Sequence, residues 1–269
     1  MQEDLLEKIR KEIDLNLDQA AAPKAAATAT AAAPTVRTIP GVTEFVGATA
    51  VGKTIGLVIA NVDPQLLETM NVEKKYKSIG IIGDRTGAGP HIFAADEAVK
   101  ATNTEIIAIE LPRDTEGGAG HGSFIIFGAQ DVSDVRRAVQ VTLQEIDTRV
   151  FGDVYGNEAG HVELDYTARA SFACNKAFGA PIGKSFAAIV GAPAAIGLVM
   201  ADKALKSANV DVVGYSSPAH GTSFSNEVIL TISGDSGAVR QSVIAAREIG
   251  IKLLGTLGSE PKSSQPSYI

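Results

Sequence analysis

Tryptophan is absent from this chain, and aromatic residues make up only 5% of it. Stacking platforms for bases or sugar rings need several flat side chains, so a site of that class is not expected. Cysteine occurs once, at Cys174, which rules out an intrachain disulfide and fits a reducing, cytoplasmic setting. A basic surplus is missing too: 24 Lys and Arg against 31 Asp and Glu give a net charge of −7. Nucleic acid and anionic membrane both demand a basic surface, so neither is an expected partner. Long apolar runs are lacking. The longest, Ser185 to Ala201, is broken by Gly191, Pro193 and Gly197; it reads as a buried strand, a turn and the start of a helix. The first residues are acidic and no apolar core follows them, so no secretory leader is expected. No HExxH or CxxC motif points to a metal, and no Gly-x-Ser-x-Gly elbow points to a hydrolase. The expectation is a protein without cofactor, metal or catalytic site.

What is present is order of two kinds. Leu5, Leu6, Ile9, Ile13 and Leu17 recur at helical spacing, which predicts a short amphipathic helix at the N-terminus. So short a helix needs a partner for stability. From Gln19 to about Thr38 the chain is almost all Ala, Thr and Pro, a composition that builds no core and reads as a linker. A helix on a tether is either a docking peptide or a solvated tail.

The second kind of order is an internal repeat. Ala95-Asp96-Glu97-Ala98-Val99-Lys100-Ala101-Thr102-Asn103 matches Ala201-Asp202-Lys203-Ala204-Leu205-Lys206-Ser207-Ala208-Asn209 at five of nine places. Each match leads into a strand-like run, Thr104 to Leu111 or Val210 to Tyr215, then a loop containing His-Gly. A further apolar run follows, Phe124 to Phe127 or Val228 to Ile232, and then a helical pattern. Upstream, Ser78 to Gly83 pairs with Ser185 to Gly191. The offset of about 105 residues is too long for a solenoid unit and marks a duplicated domain. The expected boundaries are 1–38 for the helix and linker, 39–150 for the first copy and 151–269 for the second. Each copy reads strand, helix, strand, loop, strand, helix, with one or two strands ahead. That is an α+β sandwich of the split βαβ kind. Ser133 is the expected cap of one closing helix, and Asp235 or Ser236 of the other.

These motifs carry a resemblance. The Ala94 to Lys100 segment and Gly234-Asp235-Ser236-Gly237-Ala238-Val239-Arg240 resemble the bacterial microcompartment shell domain, here in tandem and circularly permuted. Glu44 to Gly47, Leu57 to Pro64, Asp84 to Pro90, Gly214 to Asn226 and the ending from Gly255 are similar to the large tandem-domain shell proteins of propanediol-utilisation compartments. The resemblance spans about residues 40 to 269. It implies a homotrimer that mimics a hexamer, tiles a shell with other shell proteins, passes a small polyol such as glycerol or 1,2-propanediol, and meets the enclosed enzymes through its N-terminal extension. It gives no pore geometry, because the loops here are long and differ between the copies. A soluble small-molecule sensor that never forms sheets is the alternative reading.

Two groups of residues are candidates for solute passage. The glycine run Gly117 to Gly122 cannot be a phosphate loop, since a strand follows it rather than a helix. Gly118, Gly120 and His121 read instead as pore-edge loop residues. Ser217, His220, Thr222 and Ser223 are their second-copy counterparts, whose hydroxyls suit a polyol. In a trimer, His121 and His220 would form rings of three around an axis; the plainer alternative is a pair of hydrogen-bonded loop histidines. The other group is the turn Asp84, Arg85 and Thr86, which the resemblance sets against the joining segment. There Phe151, Asp153, Tyr155, Asn157, Glu158 and His161 are the candidate channel residues; the plain alternative is a polar connection. Asp96 and Asp202, in register within the repeated helix, are expected to be structural, and Cys174 to be a buried thiol.

Overall fold

The computed structural model describes residues 41–85, 87–112, 121–148, 152–222, 224–263 and 268–269. The expected N-terminal helix and linker lie outside these residues.

Two antiparallel sheets carry the fold. The first has strand order β1-β2-β3-β5-β4, from β1 (Phe45–Thr49), β2 (Thr54–Ile59), β3 (Ser78–Asp84), β4 (Glu105–Glu110) and β5 (Ser123–Ala129). The second has order β11-β6-β7-β8-β10-β9, from β6 (Gly152–Asn157), β7 (Gly160–Thr167), β8 (Ser185–Ala192), β9 (Asp211–Ser216), β10 (Val228–Gly234) and β11 (Lys262–Ser263). In each sheet a strand, a helix and a parallel strand straddle one antiparallel neighbour, which is the split βαβ plan. The helices are α1 (Pro64–Thr69), α2 (Ala88–Ala101), α3 (Val132–Thr148), α4 (Phe172–Phe178), α5 (Ala194–Ser207) and α6 (Ser236–Leu254). Among the described residues no helix is long and apolar enough to cross a membrane.

Alternation along the strands decides which face each helix covers. Ile82, Ile125 and Phe127 on one face of the first sheet meet Ile92, Ala95 and Ala98 of α2 and Val135 and Val139 of α3. On the second sheet, Leu164, Ile189, Leu230 and Ile232 meet Met200 and Ala204 of α5 and Val239 and Val243 of α6. The opposite face of the second sheet is not left to solvent. Phe186 and Ala188 pack there against Phe93 and Ala94 of α2 and Cys174 of α4, and the Phe93 and Phe186 rings stack at 5.8 Å. The α2 helix is therefore buried from two sides, between its own sheet and the sheet of the second repeat.

Caps follow local chemistry. Asp63 accepts from the N–H groups of Gln65 and Leu66 and precedes Pro64 at the first helical position. Asp235 accepts from Gly237 and Ala238, as its sequence position predicts. Ser133 does not act as expected: α3 opens at Val132, so Ser133 lies within the first turn rather than ahead of it. The α4 helix has no side-chain cap of its own. Its amides are taken by Asp96 on α2, which accepts from Ser171 at 2.8 Å and from Ala173 and Cys174 at 3.1 Å. Lys100 completes the arrangement at 3.3 Å. The matching Asp202 sits exposed on α5 and pairs with Lys206 at 2.8 Å.

The copies differ again where helix crosses strand. In the second copy a Cβ on Gly191 would fall 2.5 Å from Gly197 Cα, so β8 and α5 touch backbone to backbone. The matching positions in the first copy hold Asp84 and His91, 3.8 Å apart. Gly191→Val is expected to force α5 off β8 and to cost about 3 kcal/mol. That is a fall in melting temperature of about 10 °C, readable by circular dichroism; a melting curve unchanged from the parent would contradict the close contact.

Candidate functional site

Strand β7 presents His161, Glu163 and Asp165 on one face, because polar residues occupy every second place from 161 to 165. A half-exposed strand would turn such a face to water. Here α2 of the first repeat covers it. Gly89, in the first turn of α2, is what permits the approach: a Cβ there would stand 2.3 Å from both Glu163 Oε1 and Asp165 Oδ2. Gly152 opposite Asp165 on β6 leaves similar room, since its Cβ would meet Asp165 Oδ1 at 2.2 Å. From the far side His121, just ahead of β5, faces Glu227, just ahead of β10, with Nε2 and Oε1 3.4 Å apart. Gly89, His121, His161, Glu163, Asp165 and Glu227 line a cavity of about 50 Å³ on the seam between the repeats.

Burial sets the electrostatics. Glu163 and Asp165 are both buried, and loss of water pushes both carboxyls above the usual range. Glu163 raises Asp165 further, whereas the hydrogen bond with Asp165 lowers Glu163 and the charge of Glu227 raises it. The Gly89 N–H bond draws Glu163 partly back. Burial lowers His161, so its imidazole is neutral near pH 7. At the end of β3, Asp84 is raised to about 7 by burial, against the pull of Ser123, whose N–H and hydroxyl both donate to it. His91 beside it is lowered to about 4 by burial; its Nδ1 lies 2.6 Å from Gly87 O and its Nε2 2.6 Å from Thr54 Oγ1.

Of the expected channel residues, the structure places His161 on the cavity and Asp84 at the buried end of β3 near it, within electrostatic reach of Glu163. Arg85 is exposed on the surface. Thr86 and Phe151 lie outside the described residues. The joining segment is a β-hairpin rather than a plain loop. Asp153 is engaged elsewhere, with Arg247 and with the Tyr268 N–H at 2.5 Å. Asn157 donates to Leu254 O and Ser259 O, and Glu158 accepts from Ser259 N–H at 2.7 Å. Tyr155 packs beside the core of the second repeat. These four residues hold the returning C-terminal segment.

The central-loop candidates part company. His121 lies on the seam, whereas His220 is exposed in a turn closed by Ser217. The two histidines thus occupy different places relative to the strands that follow. Thr222 is buried and donates its hydroxyl to Ser225 O at 3.1 Å, which commits that group within the loop. Gly118, Gly120 and Ser223 lie outside the described residues. Among the described residues no group of three or more His, Cys, Asp or Glu is arranged to hold a metal ion.

Two sheets of one plan, joined by a shared helix, match a known domain twice. The BMC domain model covers residues 78–157 and again 185–260. The chain belongs to the bacterial microcompartment shell protein family. It is a structural component of that shell, with tandem BMC domains. The shell protein PduB of Citrobacter freundii is 73% identical over 227 residues, covering 84% of this chain and 83% of that protein. A crystal structure of a trimeric bacterial microcompartment shell protein PduB is 57% identical, with a TM-score of 0.81, and covers 85% of this chain and all (100%) of that one. The structure of EtuB from Clostridium kluyveri follows at 54% identity and the same TM-score of 0.81, over 85% of this chain and 100% of that one.

Sequence reasoning missed His91, Glu163, Asp165 and Glu227. The alternation in β7 was a readable signal for two of them; that α2 covers this face was not.

Proposed function

We propose that three copies of this chain close into a ring that tiles the shell beside other shell proteins, and that the seam between the repeats passes a small polyol such as glycerol or 1,2-propanediol. The observation that carries the ring is an unpaired copy of the seam. Ile92 of α2 is buried on the first sheet, where it lines the seam cavity, and Phe93 is buried against the second sheet, at 0% and 1% exposure. Their repeat equivalents on α5, Leu198 and Val199, are 54% and 45% exposed. Ile55 on the outer face of the first sheet is exposed in the same way, at 41%. A neighbouring copy that set its α5 on this sheet would repeat between chains the packing found within one, and repetition of that step closes a ring. The relative described as trimeric supports the count of three.

Passage rests on the cavity, whose lining combines apolar walls with acceptors and the neutral imidazole of His161, which replace the water a polyol sheds. Weak binding suits this role, because a tight site would block flow. The boundaries 1–38, 39–150 and 151–269 are carried into this reading, with residues 1–38 as the tether to enclosed enzymes and with no catalytic role for the body. Sedimentation and negative-stain images of concentrated protein test the assembly. A three-copy particle that packs into hexagonal sheets is expected; a lone monomer without sheets would refute it.

A further inference from the structure

We propose that neighbouring rings join through unlike rims, the groove beside α4 on the first repeat of one ring receiving the bare α5–β9 corner of the second repeat of another. This rests on the reading of a three-copy ring that tiles a sheet.

The two corners are one wall that the duplication supplies twice. On the first repeat, Val99 and Thr102 near the end of α2 and Glu105 and Ile106 at the start of β4 line a groove of about 540 Å³. Its other side is Phe172 and Lys176 of α4. The repeat puts Leu205, Ala208, Asp211 and Val212 at the same places on the second copy. The counterpart of α4 in chain order is α1, and it packs on the first sheet instead, with Leu67 against Ile79 and Ile126. Val99 is accordingly 9% exposed and Leu205 40%, while Val212 stands open at 53%. Phe172, on the lip of the groove, is 57% exposed. One apolar corner is thus recessed and the other bare, which is the condition for one to seat in the other.

Charge agrees with that pairing. Glu105 in the groove is held by Lys75 at 3.1 Å and by the Tyr76 hydroxyl at 2.7 Å, so the charge left on the lip is the exposed Lys176. On the bare corner Lys206 is held by Asp202 at 2.8 Å, and the charge left beside Val212 is the exposed Asp211. Opposite signs therefore face each other across the joint.

Both corners point to the rim of the ring. The repeats approach each other at one end, where His121 and Glu227 stand 3.4 Å apart, and like ends that meet lie near the axis that relates them. Helix α2 starts there, its Ala88 N–H donating to His121 O at 3.1 Å. Its 14 residues carry the chain about 21 Å away. Around the ring, rims of the first and second repeats alternate. Where rings lie side by side in one orientation, each rim faces one turned by half a circle, three places along the series. Three steps in an alternating series always change the kind, so groove meets bare corner at every contact, and a contact between unlike surfaces extends without closing.

The test uses the full-length protein. Phe172→Glu and Val212→Glu are each expected to keep the three-copy particle in sedimentation velocity and to lose the sheets in negative-stain images of concentrated samples. Phe172→Ser serves as a milder change at the groove. Cross-linking reads the pairing directly, because Cys174 is buried and stays silent. Rings carrying Phe172→Cys, mixed with rings carrying Val212→Cys and a short bismaleimide linker, should give linked chain pairs that neither preparation gives alone. A parent made of single chains would overturn the ring and this contact with it. Intact rings whose sheets survive both glutamates, or Phe172→Cys rings that link to their own kind, would overturn the contact alone. A Val212→Glu chain that no longer forms rings would assign that corner to the joint within the ring and overturn it too.

Discussion

Asp96→Ala is expected to be the most damaging single change to the isolated chain, lowering stability by about 4 kcal/mol. The carboxylate accepts the amides of Ser171, Ala173 and Cys174, all in buried surroundings, and meets Lys100. Alanine leaves three buried N–H groups without an acceptor at the start of a seven-residue helix that has no cap of its own. Each such orphan costs about 1–3 kcal/mol before any relaxation, and relaxation by fraying α4 would uncover Phe93 and Phe186 behind it. Asp202→Ala supplies the comparison. It removes the same residue at the same repeat position, but Asp202 and Lys206 are both largely exposed, so the change should stay within about 0.5 kcal/mol. Urea unfolding of both variants measures the contrast. Equal losses would show that Asp96 is not a cap across the repeats.

Leu198→Glu is expected to abolish the ring while leaving the protomer folded. Leu198 already faces water in the single chain, so the fold loses nothing by the substitution. At a joint between copies the balance is reversed. Full burial of one Leu or Val side chain is worth about 1.5–3 kcal/mol, and an unpaired glutamate placed there adds a desolvation penalty of several more. Every joint of a three-membered ring carries the change, so dissociation should be complete at micromolar concentration. Sedimentation velocity would show a particle of one chain, and the far-ultraviolet spectrum would match the parent. A three-copy particle that survived the change would place the joint elsewhere than α5.

Much of this architecture was legible in the residues. The matched segments at Ala95 and Ala201 revealed the duplication, and the strands they predicted are found within a residue or two of their expected ends. Asp235 declared its capping role by position, while Ser133 misled because the helix already starts at Val132 ahead of it. The site was harder to read. Asp96 and Asp202 share one register, yet one is sealed against the start of α4 and the other lies in water. Nothing in either segment records that difference, which arises from contact between the repeats. Asn157 and Glu158 looked like spare donors and acceptors because the return of the chain to Ser259 is a long-range event. His161, Glu163 and Asp165 formed a visible polar stripe, and only the packing of α2 turns that stripe from a wet face into a cavity wall.

The double burial of α2 has a consequence for how the two kinds of joint tolerate change. Joining the repeats in one polypeptide keeps their mutual concentration high and constant, whatever the supply of protein in the cell. The joint within the chain therefore need not supply its own association energy, and it can carry repelling acids such as Glu163 and Asp165 without falling open. Joints between separate chains in the proposed ring have no such tether and must hold by affinity alone, which suits the oily Leu198 and Val199. Covalent fusion thus frees one half of the joints for chemistry while the other half keeps the ring shut.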